Sequence, residues 1–65
     1  MEMYRHFKGG IYSVLCVAQH HDDTDRRFVI YQSNDTSEIY SRPFAEFHGM
    51  HESGVKRMNI IHSIY

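Results

Sequence analysis

The chain has 65 residues, half or less of a typical domain, so it holds one domain spanning 1–65 and has no room for a second. Apolar residues make up 42% and charged residues 23%, a globular balance that excludes the low-hydrophobicity, high-charge composition of a disordered chain. Seven Lys and Arg against eight Asp and Glu give a formal charge of −1, so the cationic excess that drives non-specific nucleic-acid binding is missing. No apolar run approaches the roughly 18 residues of a membrane span. Residues 1–10 carry Glu2, Arg5, His6 and Lys8, which does not read as a secretory leader. A cytoplasmic location is expected. The single cysteine, Cys16, excludes an intramolecular disulfide and multi-cysteine zinc scaffolds. A chain this short buries only about 60% of its unfolded surface, so its stability margin is thin.

In chain order, the first segment holds Tyr4, Arg5, His6, Phe7 and Lys8 before the Gly9–Gly10 pair. If extended, it places Tyr4, His6 and Lys8 on one face and Arg5 and Phe7 on the other. Ile11–His20 reads IYSVLCVAQH and is the clearest strand, rich in β-branched and aromatic residues. Alternation puts Tyr12, Val14, Cys16 and Ala18 on one face and Ile11, Leu15 and Val17 on the other. With both faces apolar, this strand is expected to be central, covered on both sides or rolled into a barrel. Residues 21–25 form a turn, residues 26–32 a second strand, and residues 33–37 (SNDTS) another turn. Residues 38–41 make a short strand that Pro43 ends, opening a helical turn over 44–47. Residues 48–54 form a loop, and residues 56–64 a last strand with Met58, Ile60, His62 and Ile64 facing one way. Short strands and tight turns predict an all-β fold, a small SH3-like β-barrel of about four to five antiparallel strands with at most one short helical turn.

Tyr4-Arg5-His6-Phe7-Lys8-Gly9, followed by Tyr12 and Val14, resembles the opening signature of a small bacterial and phage family known as domain of unknown function 1653. The family pattern YRHxKGxxYxV continues with AxH, a strand ending in Tyr, and WxRPxxMF. Here these elements are Ala18-Gln19-His20, Tyr31, and Tyr40-Ser41-Arg42-Pro43-Phe44-Ala45-Glu46-Phe47. The chain departs from the pattern at Tyr40 (Trp in the family), at Glu46 (Met), and in a shortened SNDTS turn. The resemblance implies that Tyr4, Arg5, His6, Lys8, His20, Tyr31, Tyr40 and Arg42 matter together, because core packing does not require so many polar positions. It implies no activity.

Read chemically, Arg5, Lys8 and Arg42 can hold an anion while Tyr4, Tyr31 or Tyr40 stacks on a flat ring. The competing explanation is that these stems cover the barrel ends and the tyrosines fill its rim. His20-His21-Asp22-Asp23 and His48-x-x-His51 have poor spacing for a metal, and none is expected. His6 and His20 are expected to be partly buried and hydrogen-bonded, and the remaining histidines to face solvent or an interface. Cys16, in an apolar run, reads as a buried structural thiol. No nucleophile–base arrangement stands out, so no enzyme and no cofactor are expected. The expectation is a non-catalytic module that binds an anionic, nucleotide-like small molecule and sequesters a signal of host antiviral defence. The alternative is an SH3-like module for protein or RNA interaction. The apolar last strand, Met58, Ile60, Ile61, Ile64 and Tyr65, predicts a homodimer.

Overall fold

The computed structural model describes residues 2–61. Its elements are β1 (Met3–His6), β2 (Ile11–His20), β3 (Asp23–Ser33), β4 (Ile39–Pro43), α1 (Phe44–Phe47) and β5 (Met58–Ile60). The strands form one antiparallel sheet in the order β4-β3-β2-β1-β5. The small all-β architecture with a single helical turn is therefore as expected, and β2 is central. The expected barrel closure is not: β4 and β5 are the two edges of an open sheet. The reason is visible in the packing. One face of the sheet, the inner face, is plugged by Phe47 of α1 rather than by strand pairing across it, and Phe47 is completely buried.

Phe47 meets Tyr4 edge-on with ring centroids 5.0 Å apart and lies 5.1 Å from Tyr31. With Val29 and Met58 these rings form the buried core, and Tyr12, Val14 and Phe44 pack against it. Pro43 cannot continue the ladder as a donor, which helps the chain leave β4 into the helical turn at the expected place.

The strong β2 signal holds over its full expected length, but its alternation does not. A register shift falls between Val14, opposite Tyr31, and Cys16, opposite Ile30. A bulge adds one residue to one strand and reverses the alternation beyond it. Val17 is therefore opposite the buried Val29, and Cys16 is exposed. This corrects the buried-thiol reading. Nor is the sheet covered on both sides, since Cys16 and Ile39 on the outer face, opposite Ile30 and Gln32, are exposed.

β3 begins at Asp23, three residues before the expected start. Its Asp side chains satisfy backbone donors locally instead of breaking the ladder: Asp25 N–H donates to Asp23 Oδ1 at 3.2 Å. The SNDTS turn stands as read, with the N–H groups of Asp35 and Thr36 both donating to Ser33 Oγ at 3.2 Å. β5 starts at Met58, two residues after the expected start, because Lys56 bridges back to Met50. His62, Ile64 and Tyr65 lie outside the described residues.

Gly49 closes the helical turn, its N–H donating to Glu46 O at 3.3 Å. A Cβ there would sit 2.6 Å from the Ala45 carbonyl oxygen, a backbone atom that cannot swing away. Gly49→Ala is expected to cost about 1–3 kcal/mol, the range for overpacking. Urea unfolding checks this, and an unchanged midpoint would contradict it.

Candidate functional site

Sheet register decides which side chains meet. In an antiparallel pair, residues directly opposite one another share a face. Tyr31 is opposite Tyr40, and the buried Val29 is opposite Arg42. Tyr4 is opposite Tyr12, and His6 is opposite the buried Met58. His6, Tyr31, Tyr40 and Arg42 thus join Tyr12 on the inner face, around a recess of about 210 Å³. Tyr12 belongs to the opening motif but sequence reasoning did not select it. Gly10, at φ +81°, makes room for it: a Cβ there would lie 3.3 Å from the Tyr12 ring.

Inside the recess the rings brace one another. Tyr12 and Tyr31 meet edge-on at 5.5 Å, and Tyr31 and Tyr40 are tilted at 5.7 Å. Arg42 Nε donates to the hydroxyl oxygen of the buried Tyr31 at 3.3 Å. That bond orients the guanidinium and leaves its two terminal nitrogens for other acceptors. Tyr40 donates its hydroxyl to Glu38 Oε2 at 2.6 Å, and this bond, with burial and the Glu38 charge, raises its pKa. Lys8 N–H donates to His6 Nδ1 at 3.1 Å. The neutral imidazole therefore carries its proton on Nε2 and can donate from there.

The other expected site residues lie elsewhere. Tyr4 is a core residue whose hydroxyl donates to Glu2 at 3.4 Å. Arg5 alternates onto the outer face, opposite Ile11 and Asn59. Lys8 is in the β1–β2 turn, its Nζ 5.5 Å from the Phe7 ring centroid. His20 is at the far end of β2, where its Nδ1 accepts the Asp22 N–H at 3.2 Å. His6 and His20 are half-buried and hydrogen-bonded, as expected. His51 is half-buried as well, stacked 4.5 Å from Phe7. Among the described residues, no three His, Cys, Asp or Glu side chains group as a metal set. Nor, among the described residues, is any helix long and apolar enough to cross a membrane.

Burial lowers the His6 pKa, and the positive charges of Arg42, Arg57 and Lys8 and the nearby His51 push it the same way. The folded protein therefore resists protonating His6, whereas the unfolded chain takes up that proton at about pH 6.5. Stability from this group is complete above that pH and is lost as pH falls through the lowered folded value. His6→Gln is expected to flatten the thermal-melt profile between about pH 7 and 5. An unchanged slope would contradict the assignment.

A second recess, of about 290 Å³, lies beside the end of β4. There Arg26 lies over Phe28 at 5.7 Å and Arg27 over Phe44 at 4.3 Å, with Asp25 at the rim. Although larger, it is bounded by exposed arginines already seated on rings, so the aromatic recess is the better candidate.

No curated protein and no solved structure matches the chain. A family model described as "Protein of unknown function (DUF1653)" matches residues 2–59. By that match over nearly its whole length, the chain belongs to the DUF1653 family of proteins of unknown function.

Proposed function

We propose that this protein is a non-catalytic binding module for a small molecule that joins a flat ring to an anionic group, as a nucleotide does. One observation carries the reading: Tyr12, Tyr31 and Tyr40 share a recess with His6 and an Arg42 whose fork is oriented by a buried hydroxyl. Rings offer faces for stacking, and an oriented guanidinium offers a planar donor pair for phosphate or carboxylate. At about 210 Å³ the recess falls below the roughly 300–1,000 Å³ of drug-sized pockets. It suits one ring or one phosphoryl group, so a dinucleotide would need two copies of the chain. Such a module acts by mass action in the cytoplasm, and in a phage it would sequester a nucleotide signal of host defence.

A second reading, a protein- or RNA-interaction module, is favoured by exposed apolar side chains, which also suit a homodimer under either reading. Ile39 on the β4 edge is 60% exposed and Ile60 on the β5 edge 40%. Native mass spectrometry with a panel of mononucleotides and cyclic dinucleotides tests both. A bound nucleotide supports the first reading. A co-purifying macromolecule with no nucleotide bound supports the second, and a doubled 7.8 kDa mass supports the homodimer under either.

A further inference from the structure

We infer that two copies of the chain pair edge to edge through β4, antiparallel about a two-fold axis at Ser41, so that Tyr40 and Arg42 of both copies form one shared site for a ligand with two anionic groups. The inference rests on the binding reading above and adds the partner, the register and the charge spacing of the ligand.

β4 is an edge of the open sheet, and its free side is built to take another strand. The Ser33 N–H donates to Glu38 O at 2.9 Å. Hydrogen-bonded and non-hydrogen-bonded pairs alternate along an antiparallel ladder, so Tyr40 and Arg42 turn their backbone groups to β3 while Ile39, Ser41 and Pro43 turn theirs outward. A second copy, rotated by a half-turn, matches those outward groups. Ser41 then faces the partner's Ser41 and exchanges both N–H···O bonds with it, and each Ile39 N–H reaches the partner's Pro43 carbonyl. The side chains agree with this register. On the outer face Ile39, 60% exposed, meets the partner's Pro43, and on the inner face Tyr40 meets the partner's Arg42. No like charges stand directly opposite. Centring on Ile39 or Pro43 instead would carry the pairing past the end of the strand. The β5 edge is three residues long and carries none of the recess residues.

The recess runs from His6 on β1 past Tyr12 and Tyr31 to Tyr40 and Arg42 on β4, so it reaches the edge that pairs. Joining two β4 edges sets the inner faces side by side and merges two recesses of about 210 Å³ each into one two-fold site. Arg42 and the partner's Arg42 become diagonal neighbours across the new ladder, about 7–8 Å apart. Two guanidinium charges at that spacing repel, and Pro43 withholds a donor at each end of the ladder. The pairing is therefore weak until an anion lies against each Arg42. A molecule with two flat rings and two phosphate groups supplies both anions at once and places one ring in each recess. A mononucleotide fills only half of the site.

The test is analytical sedimentation of the wild-type chain, Ser41→Lys and Ile60→Lys, each alone and with 3′,3′-cyclic di-adenylate or adenosine 5′-monophosphate. Wild type is expected to form a dimer of the 7.8 kDa chain. The cyclic dinucleotide should lower the dimer dissociation constant by about tenfold or more, and the monophosphate should lower it less. Ser41→Lys sets two ammonium groups face to face at the two-fold axis, so it should be monomeric, and its folding should be unchanged because Ser41 is exposed. Ile60→Lys alters the β5 edge and should leave the dimer intact. A covalent trap checks the register. In a Cys16→Ser background, Ser41→Cys should cross-link on mild oxidation, because directly opposite Cα atoms about 5.5 Å apart lie within disulfide reach. Ser53→Cys, in the exposed loop before β5, should not. A monomer with and without the cyclic dinucleotide, a dimer that survives Ser41→Lys, or a Ser41→Cys chain that does not cross-link would overturn this inference and leave the binding reading intact. A β4-paired dimer that binds neither nucleotide would overturn the shared site and that reading together.

Discussion

Phe47→Ala is expected to cost about 3–5 kcal/mol, the range for emptying a buried aromatic site. The ring has no exposed surface and sits against Tyr4, Tyr31 and His48 at 5.0, 5.1 and 5.0 Å. It is also the residue through which a four-residue helix covers an open sheet, so no neighbouring strand can collapse into the space. A single core in a chain below about 70 residues rarely supplies more than about 3–5 kcal/mol in total. The variant should therefore be largely unfolded at room temperature, read as loss of cooperative melting by circular dichroism. Phe47→Leu, which keeps most of the volume, should cost less than about 2 kcal/mol and retain a transition. A cooperative melt for Phe47→Ala within a few degrees of wild type would show that α1 is not the cover of this core.

How much of this was legible in the sequence depends on the range of the interactions involved. The β2 boundaries, the SNDTS turn and the helical turn after Pro43 rest on local chemistry, and the structure has them where the residues put them. The facing of Cys16 failed because one register shift reverses a strand's alternation, and nothing in IYSVLCVAQH marks where the extra residue goes. β1 was partly readable. Alternation already separated Arg5 from Tyr4 and His6, so placing Arg5 with them as an anion ligand conflicted with the period-two rule. His20 shares a strand with Tyr12 but lies eight positions along it, roughly 26 Å away at strand rise. The pairing of His6 with Met58 could not be found from sequence, because it depends on β1 meeting β5 from the far end of the chain. Barrel closure failed for a similar reason, since composition does not say whether two edges pair or a side chain plugs the gap.

Arg42→Ala is expected to weaken binding of a nucleoside monophosphate by about 1.5–3 kcal/mol, or about 10- to 150-fold, the range for charge-assisted hydrogen bonds. The effect on folding should be smaller, about 1 kcal/mol, because Arg42 is a half-buried edge-strand residue whose one internal bond, to Tyr31, is a long 3.3 Å. Tyr31→Phe isolates that bond. It removes the acceptor for Arg42 Nε while keeping the ring that packs on Phe47, so it should show a similar stability loss and a milder binding loss. Arg42→Lys should fall between wild type and Arg42→Ala in affinity, since it keeps the charge but loses the planar fork. Calorimetry and thermal melts on the three variants separate the roles. If Arg42→Ala unfolds outright, with no binding defect separable from folding, Arg42 is a structural cap on the tyrosine cluster. If all three variants bind as wild type does, the recess is not the site, and the exposed edges of β4 and β5 become the surfaces to test.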